Sequence, residues 1–396
     1  MKIIVLGSDG YLGFPLVLKL LALGHEVVGV DNLSRRRRVR EVDSWSAVPL
    51  ADPFERVSAV REDFPEYVFR FMDLTNLEEV NYLFYKHEPD AVVHLGEIPS
   101  APYSMIDSNH AVSTYMNNVG GTLNVLHAMR DYAPDCHMVK LGTMGEYGTP
   151  NVDIPEGIFE IEYRGRKDVL PFPKQPGSFY HASKVADTIN IQFASKIWGI
   201  RATDIHQGVV YGILTDDMLR VCDCNEKDVD DRLVTRFDFD ETFGTAVNRF
   251  TAQAIVGHKL TPYGRGGQTR GYIALRDSMQ CLTIALENPA DEGEYRTFNQ
   301  LDETYSVMEL AEKVVKVGNS LGLDVEIWDH VENPRLEAEE HYYNPDHENL
   351  RKLGFKPTMP IENELEVTLK RLMRYKNRIE EKKDSIMPRT KWDPRK

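Results

Sequence analysis

Cysteine is scarce. Four residues, Cys136, Cys222, Cys224 and Cys281, are scattered over 396 positions, too few for a disulfide framework. Cys222 and Cys224 form a C-x-C, but no second pair and no histidine cluster stands nearby. A metal site is therefore not expected, and two reduced loop thiols are. Long apolar runs are missing too: nothing approaches the roughly 20 consecutive apolar residues of a membrane span. The opening Lys2 is followed by Ile3-Ile4-Val5-Leu6 and then a glycine motif, which does not read as a cleaved leader, so a cytoplasmic place is expected. Positive charge is in deficit, with 47 Lys and Arg against 62 Asp and Glu and a net charge of -15. That excludes a broad electrostatic attraction to nucleic acid or to anionic lipid. Internal repeats and low-complexity tracts are absent.

What the first two-thirds of the chain does have is alternation. Short apolar runs at 3–7, 26–31, 67–74, 91–96 and 137–142 are separated by helical patterns such as FPLVLKLLALG at 14–24. Strands apolar throughout point to a parallel sheet covered on both faces, an α/β doubly wound fold of the Rossmann type. Residues 1–212 are expected to form that domain and 213–375 a smaller C-terminal α/β substrate-binding region, some elements of which return to the main sheet. An Asp-rich excursion at 213–240 opens this region; a helix near 241–258, a strand near 260–263 and a helix near 305–322 follow. The charged tail 376–396 reads as a partly exposed helix followed by an extended arm. Residues 34–66, with Arg35 to Arg38, read either as a solvated loop or as a segment whose arginines flank a bound adenosine.

Gly7-Ser-Asp9-Gly10-Tyr11-Leu12-Gly13 follows the first strand and opens the first helix. Glycines there permit a tight turn and close backbone approach to a pyrophosphate, whose charge the helix N-terminus stabilises. Asp31 ends the second strand eighteen positions past Gly13, close to the about 20 expected of the acid that binds the adenosine ribose hydroxyls. A carboxylate there repels a 2′-phosphate, so the expected cofactor is NAD. Asn32 and Arg35 lie just beyond it. Asp73 and Leu74 sit where the adenine edge is met, and His94-Leu95-Gly96-Glu97 ends the fourth strand beside the nicotinamide ribose. Asn117, Asn118 and Val210 are counted with them.

Tyr180 and Lys184 form Y-x-x-x-K on a helical pattern, which puts both side chains on one face. An ammonium near a phenol stabilises the phenolate, so Tyr180 can take a proton from a sugar hydroxyl as hydride leaves the same carbon. Thr143, at the end of the fifth strand, offers a hydroxyl to the same oxygen.

This constellation resembles the extended short-chain dehydrogenases that act on nucleotide sugars. The 4,6-dehydratases of that family read T-D-E-x-Y-G after the strand, whereas this chain reads Thr143-Met144-Gly145-Glu146-Tyr147-Gly148. Both acid/base positions are gone. KLGTMGEYGTPN (140–151), SAPYSMID (100–107), FYHASK (179–184), GIRATDIHQGVVYG (199–212), FGTAVNRF (243–250), YGRGGQTRGY (263–272) and NPRLEAEEHYYN (333–344) are similar to the sulfite-adding branch of the family. The resemblance implies that UDP-glucose and sulfite are the substrates. It also implies that NAD oxidises C4, that a C6 hydroxyl is lost, and that sulfite adds at C6 before C4 is reduced again. His181 and Glu146 then remain for proton transfer at C5 and C6. His181 leaves its helix about 100° from Tyr180 and also reads as a packing residue; Glu146 also reads as a loop anchor. Arg270 and Arg335 suit a diphosphate, because a guanidinium fork matches phosphate oxygens; a surface ion pair is the other reading for each. Gln207, Thr245, Asn248, Arg249, Thr261, Tyr263, Gln268 and Glu340 complete the expected sugar and uridine contacts. Plant-type members of the branch carry an arginine where this chain has Pro99, and their stretch matching 216–240 is shorter. A homodimer or higher homo-oligomer through the helix of Tyr180 and the one near 117–131 is implied as well. A UDP-sugar 4-epimerase, or a regulator that senses the cofactor and sugar without turning them over, are the alternatives.

Overall fold

The computed structural model describes every residue except 222, 223, 227, 336, 337, 339 and 393–396. Cys222 thus lies outside the described residues, and Cys224 is disulfide-bonded rather than a reduced thiol. In chain order the strands are β1 (Lys2–Leu6), β2 (Glu26–Asp31), β3 (Val68–Phe71), β4 (Ala91–His94), β5 (His137–Thr143), β6 (Ile158–Tyr163), β7 (Arg166–Pro171), β8 (Arg201–Gln207), β9 (Val209–Tyr211), β10 (Thr269–Ala274), β11 (Tyr295–Gln300) and β12 (Glu303–Ser306).

Seven of them build one all-parallel sheet in the order β11-β8-β5-β4-β1-β2-β3. Successive β1 side chains go to opposite faces: Ile3 and Val5 join one core cluster, Ile4 and Leu6 the other. Both faces are covered at the centre, which is why β1 and β4 carry no polar alternation. The chain winds outward from β1 through β2 to β3, then returns to β4 on the other side of β1. A reversal of this kind opens a crevice at the carboxyl ends of the strands, the usual ligand site of such sheets.

The C-terminal region contributes β11 to the main sheet, in parallel register with β8. Its β10 and β12 join β9 in a small β12-β10-β9 sheet, and it holds the helices Ala246–Val256, Val307–Ser320 and Ile361–Leu372. The strand expected near 260–263 is reduced to isolated bridges, Leu260 with Ile327 and Tyr263 with Val331. The Asp-rich excursion packs inward on Val229, Leu233, Val234, Phe237 and Phe239. Its carboxylates find cations: Asp238 bonds Arg236 at 2.9 Å and Arg35 at 2.8 Å.

Residues 34–66 are helical, not a solvated loop. Helix Ser34–Glu41 is followed by helix Pro53–Asp63, which Asp52 and Glu55 cap reciprocally behind a first-turn proline, a start signal present in the local sequence. The tail is docked rather than extended: Ile379 and Ile386 are buried. The Trp45 indole donates to Arg378 O at 3.0 Å, and Trp392 N–H to Pro334 O at 3.1 Å.

Candidate active site

The glycine turn brings backbone against backbone. A Cβ on Gly13 would stand 2.0 Å from Gly7 O, so no other residue fits there without moving the turn. Helix Gly13–Ala22 starts with no side-chain cap; Phe14 and Leu16 N–H turn back to Gly10 O and Leu12 O, so the positive end of the helix faces the turn without a side-chain oxygen in front of it. A cavity of about 350 Å³ runs over the turn and along the sheet's carboxyl edge. Gly7, Gly10, Tyr11, Leu12 and Gly13 line one end, with Asp31, Asn32, Arg35 and Leu74 beside them. Leu95, Gly96, Asn117 and Val210 line the middle; Thr143, Tyr180, Lys184, Gln207 and Thr245 line the far end.

Three of the expected cofactor residues stand behind this lining. Asp9 is buried in an ion cluster, held by Arg36 at 2.7 Å and Arg56 at 2.6 Å, and its N–H donates to Asp31 at 2.9 Å. Asp73 accepts from Asn32 Nδ2 at 2.8 Å. Asn118 donates to Ser183 Oγ at 3.0 Å and accepts from Ile98 N–H at 2.8 Å. Burial, and after it the Asp9 carboxylate, pushes Asp31 up to about 6, against N–H bonds from Asp9 and Leu33. The turn, the uncapped helix and the carboxylate at the end of β2 together fit a dinucleotide with free ribose hydroxyls.

At the other end, Lys184 lies 5.9 Å from the centre of the Tyr180 ring, and the Thr143 hydroxyl, which accepts from Gly145 N–H at 3.1 Å, is close enough to the Tyr180 phenol to lower it. Burial raises the Tyr180 phenol well above its ordinary value; Glu97 pushes the same way, while Lys140 and the Thr143 hydroxyl oppose. The phenol is therefore neutral until a further positive charge arrives beside it. Lys184 does not stand alone. Its Nζ is 2.5 Å from Glu97 Oε2 and donates to Leu141 O at 2.5 Å. Glu97 Oε1 in turn lies 2.5 Å from Lys140 Nζ, which is 3.3 Å from Asp187 Oδ2.

His181 reaches the site through a missing side chain. A Cβ on Gly145 would stand 2.4 Å from His181 Nε2 and 2.5 Å from Cδ2, so the imidazole occupies the space a side chain at 145 would fill, next to the cavity rather than in its lining. Ser178 Oγ holds its Nδ1 at 3.0 Å, and the Tyr180 ring is 5.0 Å away centre to centre. Burial, then Arg270 and Arg335, drives His181 down to about 4, so it is a neutral base at physiological pH. Glu146, in contrast, is buried beneath the cavity. It accepts from Thr143 N–H at 3.1 Å, Lys174 Nζ at 3.2 Å and Thr188 Oγ1 at 3.0 Å, the bonds of a loop anchor.

Arg335, Arg270 and Arg249 converge from a loop, β10 and helix Ala246–Val256. Burial lowers the Arg335 proton affinity, opposed by Tyr263, with Arg249 and Arg270 adding to the drop. Arg249 hydrogen-bonds the Tyr263 hydroxyl, Arg270 bonds His341 at 2.6 Å, and the Arg335 guanidinium stacks 5.3 Å from the Trp392 ring. Thr261 is tied to Gln253 at 2.8 Å, Gln268 to Tyr263 O at 3.3 Å and Asn248 to Asp238 O at 3.4 Å; like the three arginines, none of them lines the cavity over the glycine turn. Glu340 is exposed. Sequence reasoning missed the Glu97–Lys140 pair, and it missed Arg236 from the Asp-rich stretch and Phe243 just after it, both of which line the cavity. One signal was available: a lysine inside the apolar run HMVKLG needs a buried counter-charge.

Residues 3–220 match the NAD dependent epimerase/dehydratase family. The chain is 49% identical over 394 residues to the UDP-sulfoquinovose synthase of Sulfolobus acidocaldarius, covering 99% of this chain and 98% of that one. It is 48% identical to the chloroplastic UDP-sulfoquinovose synthase of Spinacia oleracea, covering 99% and 79%. Among solved structures, the Thermotoga maritima UDP-glucose 4-epimerase with UDP-glucose superposes with a TM-score of 0.69 at 20% identity, over 94% of this chain and 99% of that one. A Bacillus cereus UDP-glucuronic acid 4-epimerase with UDP-glucuronic acid and NAD gives 0.68 at 20%, with the same coverage; these two speak for the fold alone. The chain belongs to the NAD dependent epimerase/dehydratase family and, within it, to the group of the UDP-sulfoquinovose synthases.

Proposed function

We propose that the chain converts UDP-glucose and sulfite into UDP-sulfoquinovose, replacing the C6 hydroxyl by a sulfonate with no net redox change. The observation that carries this reading is the imidazole of His181 lying where a side chain at 145 would be. The 4,6-dehydratases carry their glutamate at that position, so His181 has both the vacated space and the neutral state needed to accept the C5 proton.

The glycine turn and helix Gly13–Ala22 hold the cofactor pyrophosphate, Asp31 the adenosine ribose, and Tyr180 with Lys184 the nicotinamide half. When bound, NAD supplies a hydride acceptor for C4 that gives the hydride back at the end of the cycle. Tyr180, steadied by Thr143, takes the C4 hydroxyl proton and later returns it. The C4 ketone acidifies C5; His181 removes that proton, and water departs from C6 to leave an enone. Sulfite adds at C6, C5 regains its proton, and C4 is reduced. Glu146 serves as the anchor that keeps Thr143 and Gly145 in register, not as a second base. Arg335 and Arg270, with Arg249 behind Tyr263, bind the diphosphate, and residues 213–375 form most of this nucleotide end.

A homodimer is supported by exposed apolar side chains on two neighbouring helices. Ile189, Phe193 and Ile197 recur at one-turn spacing along helix Phe179–Trp198, and Val112, Tyr115 and Met116 stand on the segment packed beside it. Among the described residues no helix is long and apolar enough to cross a membrane, which fits a cytoplasmic place. Incubation with UDP-glucose, with and without sulfite, tests the reading. A sulfonated nucleotide sugar formed only with sulfite is expected; UDP-galactose as sole product would make the chain a 4-epimerase. Tyr180→Phe should abolish turnover, which a non-catalytic sensor would not notice.

A further inference from the structure

We infer that Glu97 is the positioning residue of the catalytic pair: its carboxylate, wedged between Lys184 and Lys140, aims the Lys184 ammonium and keeps it charged. The inference rests on Tyr180 and Lys184 acting as proposed above.

The geometry is an alternating buried chain, Lys184–Glu97–Lys140–Asp187. Its contacts are 2.5, 2.5 and 3.3 Å, and every side chain in it is at most 5% exposed. Three elements supply it: Glu97 the loop after β4, Lys140 the strand β5, and Lys184 with Asp187 the helix Phe179–Trp198. An ammonium has three N–H bonds. Leu141 O accepts one of those on Lys184, and the Glu97 carboxylate 2.5 Å away is the ion-pair partner that holds the ammonium beside the cavity that Lys184 lines. Without Glu97, the flexible four-carbon stem has no second fixed point.

The charges facing Lys184 are Glu97, Lys140 and Asp187, with the Tyr180 phenol on its own helix. His94 is next to Glu97 but adds no cation, since burial holds it down at about 3. Burial lowers the Lys184 proton affinity; Glu97 is the largest influence opposing that, and Lys140 adds to the lowering. Burial alone would raise Glu97, yet Lys140 and Lys184 hold it at about 2, so it stays an anion across the working range. Asp187, pushed up to about 7 by burial, can take a proton when Lys140 is lost.

The two neighbours of Lys184 therefore act with opposite signs. Glu97→Gln removes an anion and makes the ammonium easier to deprotonate. Lys140→Met removes a cation and makes it harder. The experiment follows the pH dependence of Lys184 labelling by an amine-reactive reagent, read by mass spectrometry. In parallel it follows the pH profile of nicotinamide reduction by UDP-glucose without sulfite. The Lys184 labelling midpoint is expected to fall by about one to two pH units in Glu97→Gln and to rise in Lys140→Met. The alkaline limb of the reduction profile should move the same way in each. Glu97→Asp, which keeps the charge, should restore most of both. If Glu97→Gln does not fold, the double variant Glu97→Gln/Lys140→Met, which removes the buried pair together, carries the test: its Lys184 labelling midpoint should lie below that of Lys140→Met, and equal midpoints would overturn the inference. Midpoints unmoved in the soluble variants, with activity tracking only the folded fraction, would reduce Glu97 to a structural ion pair and overturn the inference. A wild-type enzyme inert toward UDP-glucose, with the labelling midpoints still moving, would instead overturn the proposed function and leave the positioning intact.

Discussion

A single methyl group at residue 145 should separate the two halves of the reaction. In Gly145→Ala the new Cβ would meet His181 Nε2 at 2.4 Å, Cδ2 at 2.5 Å and Cε1 at 3.2 Å, where ordinary contact begins near 3.4 Å. The imidazole has to retreat by about 1 Å, and a displacement of that size costs on the order of 10²-fold in rate. It is pinned by Ser178 at 3.0 Å on one side and packed near Tyr180 on the other, so the retreat breaks a bond rather than sliding freely. Overpacking of this kind costs about 1–3 kcal/mol of stability, which a thermal melt would register. Gly145 does not line the cavity and Tyr180 does, so cofactor affinity and nicotinamide reduction by UDP-glucose should survive. Sulfonated product, measured by mass spectrometry, should fall roughly a hundredfold. A variant that melts normally and keeps more than half its sulfonation rate would refute the placement of His181 at C5. A variant that loses reduction and sulfonation together would show that residue 145 supports the whole site rather than its second half.

Other expectations follow from the same geometry. Arg335→Ala removes a charged donor worth about 1.5–3 kcal/mol, so KM for UDP-glucose should rise about tenfold or more with kcat nearly intact; an unchanged KM in steady-state kinetics would take Arg335 away from the diphosphate. Because burial and Asp9 push Asp31 up to about 6, and only the carboxylate accepts both ribose hydroxyls, NAD affinity measured by calorimetry should weaken as pH falls through that value. Asp31→Asn should flatten the dependence, and a profile that persists in that variant would assign it to another group. Phe193, 61% exposed on helix Phe179–Trp198, is expected at the dimer seam. Phe193→Glu should yield monomers by sedimentation velocity, and a dimer of unchanged stability would move the seam elsewhere.

The parts of this fold that could be read in advance are those with local causes. Strands buried on both faces must be apolar throughout, so the βα alternation and the glycine turn after β1 were visible, as was the Tyr180 and Lys184 spacing within one helix. Helix Pro53–Asp63 was visible in principle, because Asp52-Pro53-x-Glu55 is a start signal, but the arginines around it suggested a loop. Those arginines were needed for distant carboxylates: Arg36 and Arg56 for Asp9, Arg35 for Asp238. Partners separated by tens or hundreds of positions leave no periodic trace. The pairing of Glu97 with Lys140, and through it Asp187, escaped for the same reason, and so did the inward packing of the Asp-rich stretch, whose cation Arg35 lies 203 positions away. His181 shows a different limit. Helix geometry puts it about 100° from Tyr180, and nothing in the local sequence shows that the absent side chain of Gly145 makes room for its ring.

The central claim is that C4 gives up its hydride to a bound cofactor and recovers it after C6 has been rebuilt. UDP-glucose carrying deuterium at C4, incubated with sulfite and the enzyme, tests this in one mass spectrum. A sulfonated product that retains the deuterium at C4 is expected. A sulfonated product with the label lost to water, or a labelled sugar with no sulfonate, would contradict it.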